Sequence, residues 1–419
     1  MEVIFFLLLG LASGLVVSCF VLGVGFFNGL WQITLPHDLV SVNAEASLTW
    51  SPTLAMGLTA AALLAGQILK RLPGHRQRSL ADSLWAAHEE TTPELKAGFL
   101  SSLMGFINLC GGASVGIFGP TVNLGACLGS ALCEWCSKRG LALRLTSSQV
   151  IAAGAGAALA SLYIVPLAGI AFAFEGILKR FSWPVFGGIT LACLVSYSLS
   201  HWGLDRHSPL PFLEASSVTL AYVLGTLVFS VVCSLCVLAY LHLMIKFPSW
   251  SWPKKVPIEV RPLVPALLLF AISPWLPQLL GAGVSSAHLA MAGALTVDLL
   301  LTLALSKVLM TPFCFGFGFM GGIVGPALFI GAMVGALADQ SGLLAQSTHF
   351  SLIGAAIGVG AVIGAPLSAC IMLAEMTACP SDALFALLGC AVAIPIIKRL
   401  FAPSLLFKQL AVRGLLLPE

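Results

Sequence analysis

The chain has 419 residues, of which 58% are hydrophobic and only 9% charged, with a formal net charge of +3. A soluble domain carries roughly 25% charged residues and could not bury this much apolar surface, so the composition excludes a water-soluble fold and makes lipid the solvent. The small charge, held in short basic clusters rather than one stripe, also excludes a nucleic-acid partner.

Uncharged stretches recur at 3–36, 50–69, 97–133, 145–174, 262–297, 308–338 and 340–374. Most exceed the ~20 apolar residues a spanning helix needs, which predicts an all-α membrane protein. The first starts directly after Glu2, with no basic region and no cleavage pattern, and reads as a retained helix rather than a signal peptide. The linker after it carries Asp38 and Glu45 and no Lys or Arg, while the next holds Lys70, Arg71, Arg76 and Arg78. By the positive-inside rule the second linker is cytoplasmic and the first is outside. Lys138/Arg139, Lys179/Arg180, Lys254/Lys255 and Lys398/Arg399 mark further loops, and Trp50, Trp183, Trp202, Trp250 and Trp252 read as interfacial anchors. The twelve Cys are scattered, and the Cys133/Cys136 pair has no second pair to complete a metal site. No metal and no cofactor is expected; the thiols read as small core residues.

Several apolar blocks are broken by Gly and Pro, at 111–120, 165–166, 316–326 and 364–366. Non-helical backbone at membrane depth survives only where protein or a watery cavity covers it, so these breaks point to a pathway. The run Gly119-Pro120 through Gly125-Ala126 to Gly129 matches Gly325-Pro326 through Gly331-Ala332 to Gly335 without a gap, 206 residues on (325 minus 119). Pro166-Leu167-Ala168 followed by Glu175 matches Pro366-Leu367-Ser368 followed by Glu375, 200 residues on (366 minus 166). Two halves of like construction are expected, at about 1–205 and 206–400, with a pore-facing helix at about 401–414.

Corresponding broken helices in two halves place a binding site between them at the bilayer midplane. Helices starting near Pro120 and Pro326 would offer free N–H groups and about half a positive charge each, which makes an anion site without any Arg or Lys. A full buried cation would hold a halide too tightly for release.

The run from Gly112 through Gly116-Ile117-Phe118 to Gly119-Pro120 resembles the G-R/K-E-G-P motif of the CLC family of chloride channels and proton/chloride antiporters. Gly321-Gly322-Ile323-Val324-Gly325-Pro326 resembles the G-G-x-F-x-P motif of that family, and the stretches ending in Glu175 and Glu375 and the run from Pro403 to Gly414 are also similar. The resemblance implies a CLC-type inverted repeat of tilted, partial and re-entrant helices. It implies a homodimer of independent pores in a cell membrane, here a bacterial inner membrane, and chloride or another small anion as the transported species. The anion would be held around Phe118, Gly119, Ile323, Val324 and Gly325. No regulatory nucleotide-binding domains are expected after Glu419.

The departures bear on mechanism. The family's gating glutamate falls at Phe118, and the internal proton glutamate falls at Gly176. The central tyrosine falls at Leu406, or at Phe407 if the helix is shifted by one, and the serine loop falls on 74–79, where His75, Arg78 or Ser79 takes its place. With both proton positions empty, a passive channel or uncoupled transporter is expected. Proton coupling through another carboxylate such as Glu175, and a non-conducting scaffold, are the alternatives. Phe118 reads as a hydrophobic gate or as a packed aromatic. Glu175 and Glu375 read as capping groups, and Lys307 as a distant positive charge or a side chain snorkelling to the interface. An enzyme is not expected, since no cluster of nucleophile, base and metal ligands shares an apolar face.

Overall fold

A computed structural model describes residues 1–31, 51–141, 143–214, 216–250, 253–342 and 349–415. Asp38, Glu45, Trp50 and Trp252, used above for topology and anchoring, lie outside the described residues. Those described form seventeen α-helices: α1 (Glu2–Leu30), α2 (Pro52–Arg71), α3 (Leu80–His88), α4 (Leu95–Cys110), α5 (Phe118–Lys138), α6 (Ser147–Tyr163), α7 (Pro166–Phe172), α8 (Trp183–Ser198), α9 (Leu220–Ser249), α10 (Leu263–Ile272), α11 (Val284–Met291), α12 (Val297–Gly316), α13 (Val324–Ser341), α14 (Phe350–Ile363), α15 (Pro366–Thr377), α16 (Pro380–Leu400) and α17 (Leu405–Ala411). Among the described residues seven segments are long and apolar enough to cross a membrane, and the protein is a multi-pass membrane protein.

The Gly and Pro breaks are helix ends. α4 stops at Cys110 before the 111–117 loop, and α12 stops at Gly316 before the 317–323 loop. α6 ends with Ile164 in the left-handed region (φ 61°) and α14 ends with Gly364 (φ 67°), each followed two residues later by the proline that opens the next helix. A β-branched residue is costly at such a φ, so Ile164 marks a turn imposed by its surroundings. The repeats pack through small residues: α5 crosses α6 where Gly125 meets Gly154, and α13 crosses α14 where Gly331 meets Gly354. Small residues let backbones approach where lipid supplies no hydrophobic drive.

The short helices α7 and α15 are tied to each other across the repeat. The Glu175 carboxylate, in a π-helical turn after α7, accepts the N–H groups of Leu367 (3.0 Å) and Ser368 (2.6 Å) and the Ser368 hydroxyl (2.6 Å) at the start of α15. Glu375, on α15, accepts the N–H groups of Leu167 (3.0 Å) and Ala168 (2.8 Å) at the start of α7. Each carboxylate thus caps the partner repeat's helix, where orphan N–H groups and the dipole favour an anion.

Candidate anion pathway

The two broken loops meet. Gly116 N–H donates to the Gly322 carbonyl at 2.7 Å and Gly322 N–H donates back to the Gly116 carbonyl, an antiparallel bridge. These residues are 206 apart (322 minus 116), the offset of the sequence repeat, so the bridge lies on the local two-fold relation of the halves. A Cβ on Gly322 would stand 2.6 Å from the Gly119 nitrogen and 3.0 Å from the Gly116 carbonyl, so only glycine permits this approach.

Helices start on both sides of the bridge. α5 begins at Phe118 and α13 at Val324, which puts Pro120 and Pro326 third in their helices rather than first. The missing N–H costs nothing there either, because the first N–H groups of a helix have no internal acceptor. Among the described residues no protein acceptor takes the N–H groups of Phe118, Gly119, Ile323 or Val324. The neighbouring carbonyls are occupied: Ile117 accepts the Thr121 hydroxyl at 2.9 Å, and Ile323 accepts the Tyr240 hydroxyl of α9 at 2.9 Å. What remains free at the junction is therefore donor-rich.

A cavity of about 380 Å³ runs from the 75–79 linker to this junction, with Ser79, Phe118, Gly119, Ile323, Val324 and Leu406 among its lining residues. Of the predicted anion-site residues, Gly325 and Phe407 are not in the wall. Gly325 packs behind it against Gly116, and the Phe407 ring lies 5.4 Å below the Lys179 ammonium. Of the two candidates for the tyrosine position, buried Leu406 thus faces the cavity, together with Gln409 one turn on along α17. In the linker His75 and Ser79 reach the wall, while Arg78 turns to Glu94 (2.7 Å). The mouth also holds Arg76, Arg261 and Arg413 and, among the described residues, no carboxylate. Asp82 sits behind it, pairing with Arg76 (2.6 Å) and Arg413 (3.1 Å) and capping Ser79 N–H (2.8 Å). Burial draws the Arg76 guanidinium down from its ordinary value and Asp82 opposes this; an arginine stays cationic throughout.

An inverted pair of helix starts, joined by repeat-equivalent glycines above a basic cavity, has a counterpart in known sequences: the family model for voltage gated chloride channels matches residues 56–398. The chain belongs to this family. Among curated relatives, the H+/Cl− exchange transporter ClcA of Salmonella arizonae is 27% identical over 362 residues, covering 81% of this chain and 74% of the relative. ClcA of Salmonella paratyphi B gives the same figures. Among solved structures, a slow cyanobacterial Cl−/H+ antiporter superposes with a TM-score of 0.81 at 20% identity, covering 99% of this chain and 98% of the other. A CLC-type fluoride/proton antiporter gives 0.75 at 19% identity, with 96% and 97% covered. At these identities the structural likeness shows the CLC fold alone.

Within this CLC fold Phe118 is fully buried. Its ring stacks on Tyr163 (centroids 6.5 Å apart, 29°) and meets Phe172 edge-on (5.7 Å, 80°). A Cβ on Gly176 would stand 2.5 Å from that same Phe172 ring. Lys307 is also fully buried, contrary to the snorkelling expectation: Nζ donates to the carbonyls of Leu279 (3.1 Å) and Gly281 (3.0 Å) and lies 5.2 Å from the Phe329 ring centroid. Ser114 stands in a Gly112–Gly116 string of G-x-S-x-G form, but among the described residues its buried hydroxyl has no hydrogen-bond partner, and so no base beside it to activate it. The arginine mouth and Tyr240 escaped the sequence reading, because they come from segments far apart in the chain.

Proposed function

We propose that this CLC protein passes chloride and related small anions without obligatory proton exchange, as a passive channel or uncoupled transporter. The observation that carries the reading is the Phe172 ring, which packs on Phe118 and fills the space a side chain at Gly176 would need. Neither place where the resemblance expects a proton-carrying glutamate holds a carboxylate, and one apolar ring packs beside both. Exchange coupling requires a group whose charge alternates with anion occupancy, and a phenyl ring carries no titratable proton. Glu175 is a poor substitute, since three donors already hold its carboxylate on α15.

The anion would rest on the free N–H groups of Phe118, Gly119, Ile323 and Val324, drawn in through Arg76, Arg261 and Arg413. Leu406 brings no hydroxyl, and the Ser79 hydroxyl donates to Asp82 (3.3 Å), so selectivity should relax towards larger, less hydrated anions such as nitrate and thiocyanate. The chain is read as two repeats, about 1–205 and 206–400, followed by the 401–414 helix. A homodimer fits as well. α7 and α15, at 7 and 12 residues too short to span, leave Leu167 (59% exposed) and Leu367 (48%) beside the capping carboxylates. Helix ends and carboxylates are costly against lipid, so that face calls for a protein partner.

The test is paired flux in liposomes holding purified protein. Chloride efflux with no accompanying proton uptake is expected. Proton uptake driven by a chloride gradient would overturn the uncoupled reading, and absence of any efflux would return the protein to the scaffold reading.

A further inference from the structure

At the end of the molecule remote from the cavity, three segments converge. α9 runs 30 residues from Leu220 to Ser249, and Ser249 lines the cavity mouth. At about 1.5 Å per residue its Leu220 end stands roughly 40 Å away, on the opposite face of the membrane. There His349, just before α14, meets Cys379 and Asp382 at the start of α16. His349 Nδ1 lies 2.6 Å from Asp382 Oδ2, and Cys379 Sγ lies 3.0 Å from the same oxygen. Ser216 Oγ is 3.1 Å from the imidazole nitrogen and 3.2 Å from Asp382 Oδ2, and the Tyr222 hydroxyl donates to Asp382 Oδ1 at 3.4 Å. Cys379 and Asp382 are buried, while the His349 side chain is 21% exposed, which leaves one open approach.

The anion pathway makes no use of this cluster. An imidazole nitrogen, a thiol sulfur and a carboxylate oxygen, all within 4.8 Å of one another, form a mixed set that suits a borderline-soft divalent ion. Calcium and magnesium prefer oxygen donors throughout. We propose that His349, Cys379 and Asp382 bind Zn2+ or a chemically similar divalent ion on the face opposite the 72–79 linker, with Ser216 or water as fourth donor. A tetrahedral zinc site spaces its donors roughly 3.4–3.6 Å apart, so the His349–Asp382 and Cys379–Asp382 separations would each widen by about 1 Å or less to admit the ion. Binding displaces the Cys379 thiol proton and needs a neutral imidazole, so acid weakens it. The ion would pin α14 and α16 together at their outer ends, with α9 joined through Tyr222.

Calorimetric titration of zinc chloride into the detergent-purified protein, with cadmium as a spectroscopic probe of thiolate ligation, tests the site. One ion per chain is expected, together with a cadmium–thiolate absorption band and a raised melting temperature. Cys379→Ser should abolish the band and, like His349→Gln, weaken zinc at least about tenfold, while His88→Gln on the linker side leaves both unchanged. Zinc-edge X-ray absorption on the unaltered protein gives a readout independent of the variants: a mixed N/O/S shell supports the site. A sulfur-free shell, no saturable binding, or binding untouched by both substitutions overturns it.

Discussion

Phe118→Ala separates a gate from a packed aromatic. The ring is fully buried between Tyr163 and Phe172, and deleting a buried phenyl costs about 3–5 kcal/mol, of which each ring pair accounts for about 0.5–1.5. The hole opens into the 380 Å³ cavity, where water can fill it, so a loss near the lower end, about 3 kcal/mol, is expected. If the ring blocks the path, each ~1.4 kcal/mol of barrier it supplies is tenfold in rate, and forcing a partly dehydrated halide past a phenyl face costs at least that much. Chloride efflux from liposomes at matched protein density should therefore rise at least about tenfold. Thermal melts of the same preparation monitor folding, and Phe118→Leu should fall between the two in both readouts. A variant that melts lower as expected yet conducts at the parent rate refutes the gate and leaves Phe118 as packing.

Three further outcomes follow from the geometry. Phe118→Glu should make anion flux fall as pH rises, because the ionised carboxylate competes with the anion for the helix N–H groups; a flat profile between roughly pH 4 and 8 removes Phe118 from the pathway. Glu175→Ala removes three hydrogen bonds and Glu375→Ala two, so the first should lose more stability, about 2–4 against about 1–3 kcal/mol; equal melting shifts would contradict the count. Glu90 caps α6 by accepting Ser148 N–H (3.0 Å) and hydroxyl (2.6 Å). Partial burial opposes its ionisation, but the Ser148 bonds win and hold it below the usual carboxylate range. A depressed folded-state value means the cap stabilises above the unfolded carboxylate pKa, about 4.3, and is lost as pH falls through the folded one. Glu90→Gln should therefore cost about 0.5–1 kcal/mol at neutral pH and nothing in strong acid, and a deficit that persists in acid would show the cap is not electrostatic.

What could be read from the chain was local or repeated. Gly and Pro mark the helix breaks because they act within a few residues, and the 206-residue offset that aligned Gly119 with Gly325 also paired Gly116 with Gly322 in the bridge. The glutamate caps were legible for the same reason, through the offset of 200. The arginine mouth was not, because Arg76, Arg261 and Arg413 share a wall only after three distant segments fold together. Leu406 and Phe407 differ by one residue, about 100° on a helix, and no pattern in seven residues of α17 fixes that rotation. His349 stands 30 residues before Cys379 (379 minus 349), too far for a ligand spacing to register.

The electrostatic layout ties these parts together. Full cations stand at the mouth, where water screens them and an anion need only be attracted. At the junction, among the described residues, only partial charges remain, and the buried ammonium of Lys307 near it is spent on the carbonyls of Leu279 and Gly281. Gly281 N–H in turn donates to the Gly112 carbonyl at 3.1 Å, so Lys307 braces the loop that carries Gly116. On the proposed pathway, attraction would fall from whole charges to dipoles as an anion moved inward. Under the proposed uncoupled reading, Phe118 in place of a charged gate would extend that gradient to zero and leave steric passage rather than a proton to decide when the ion leaves.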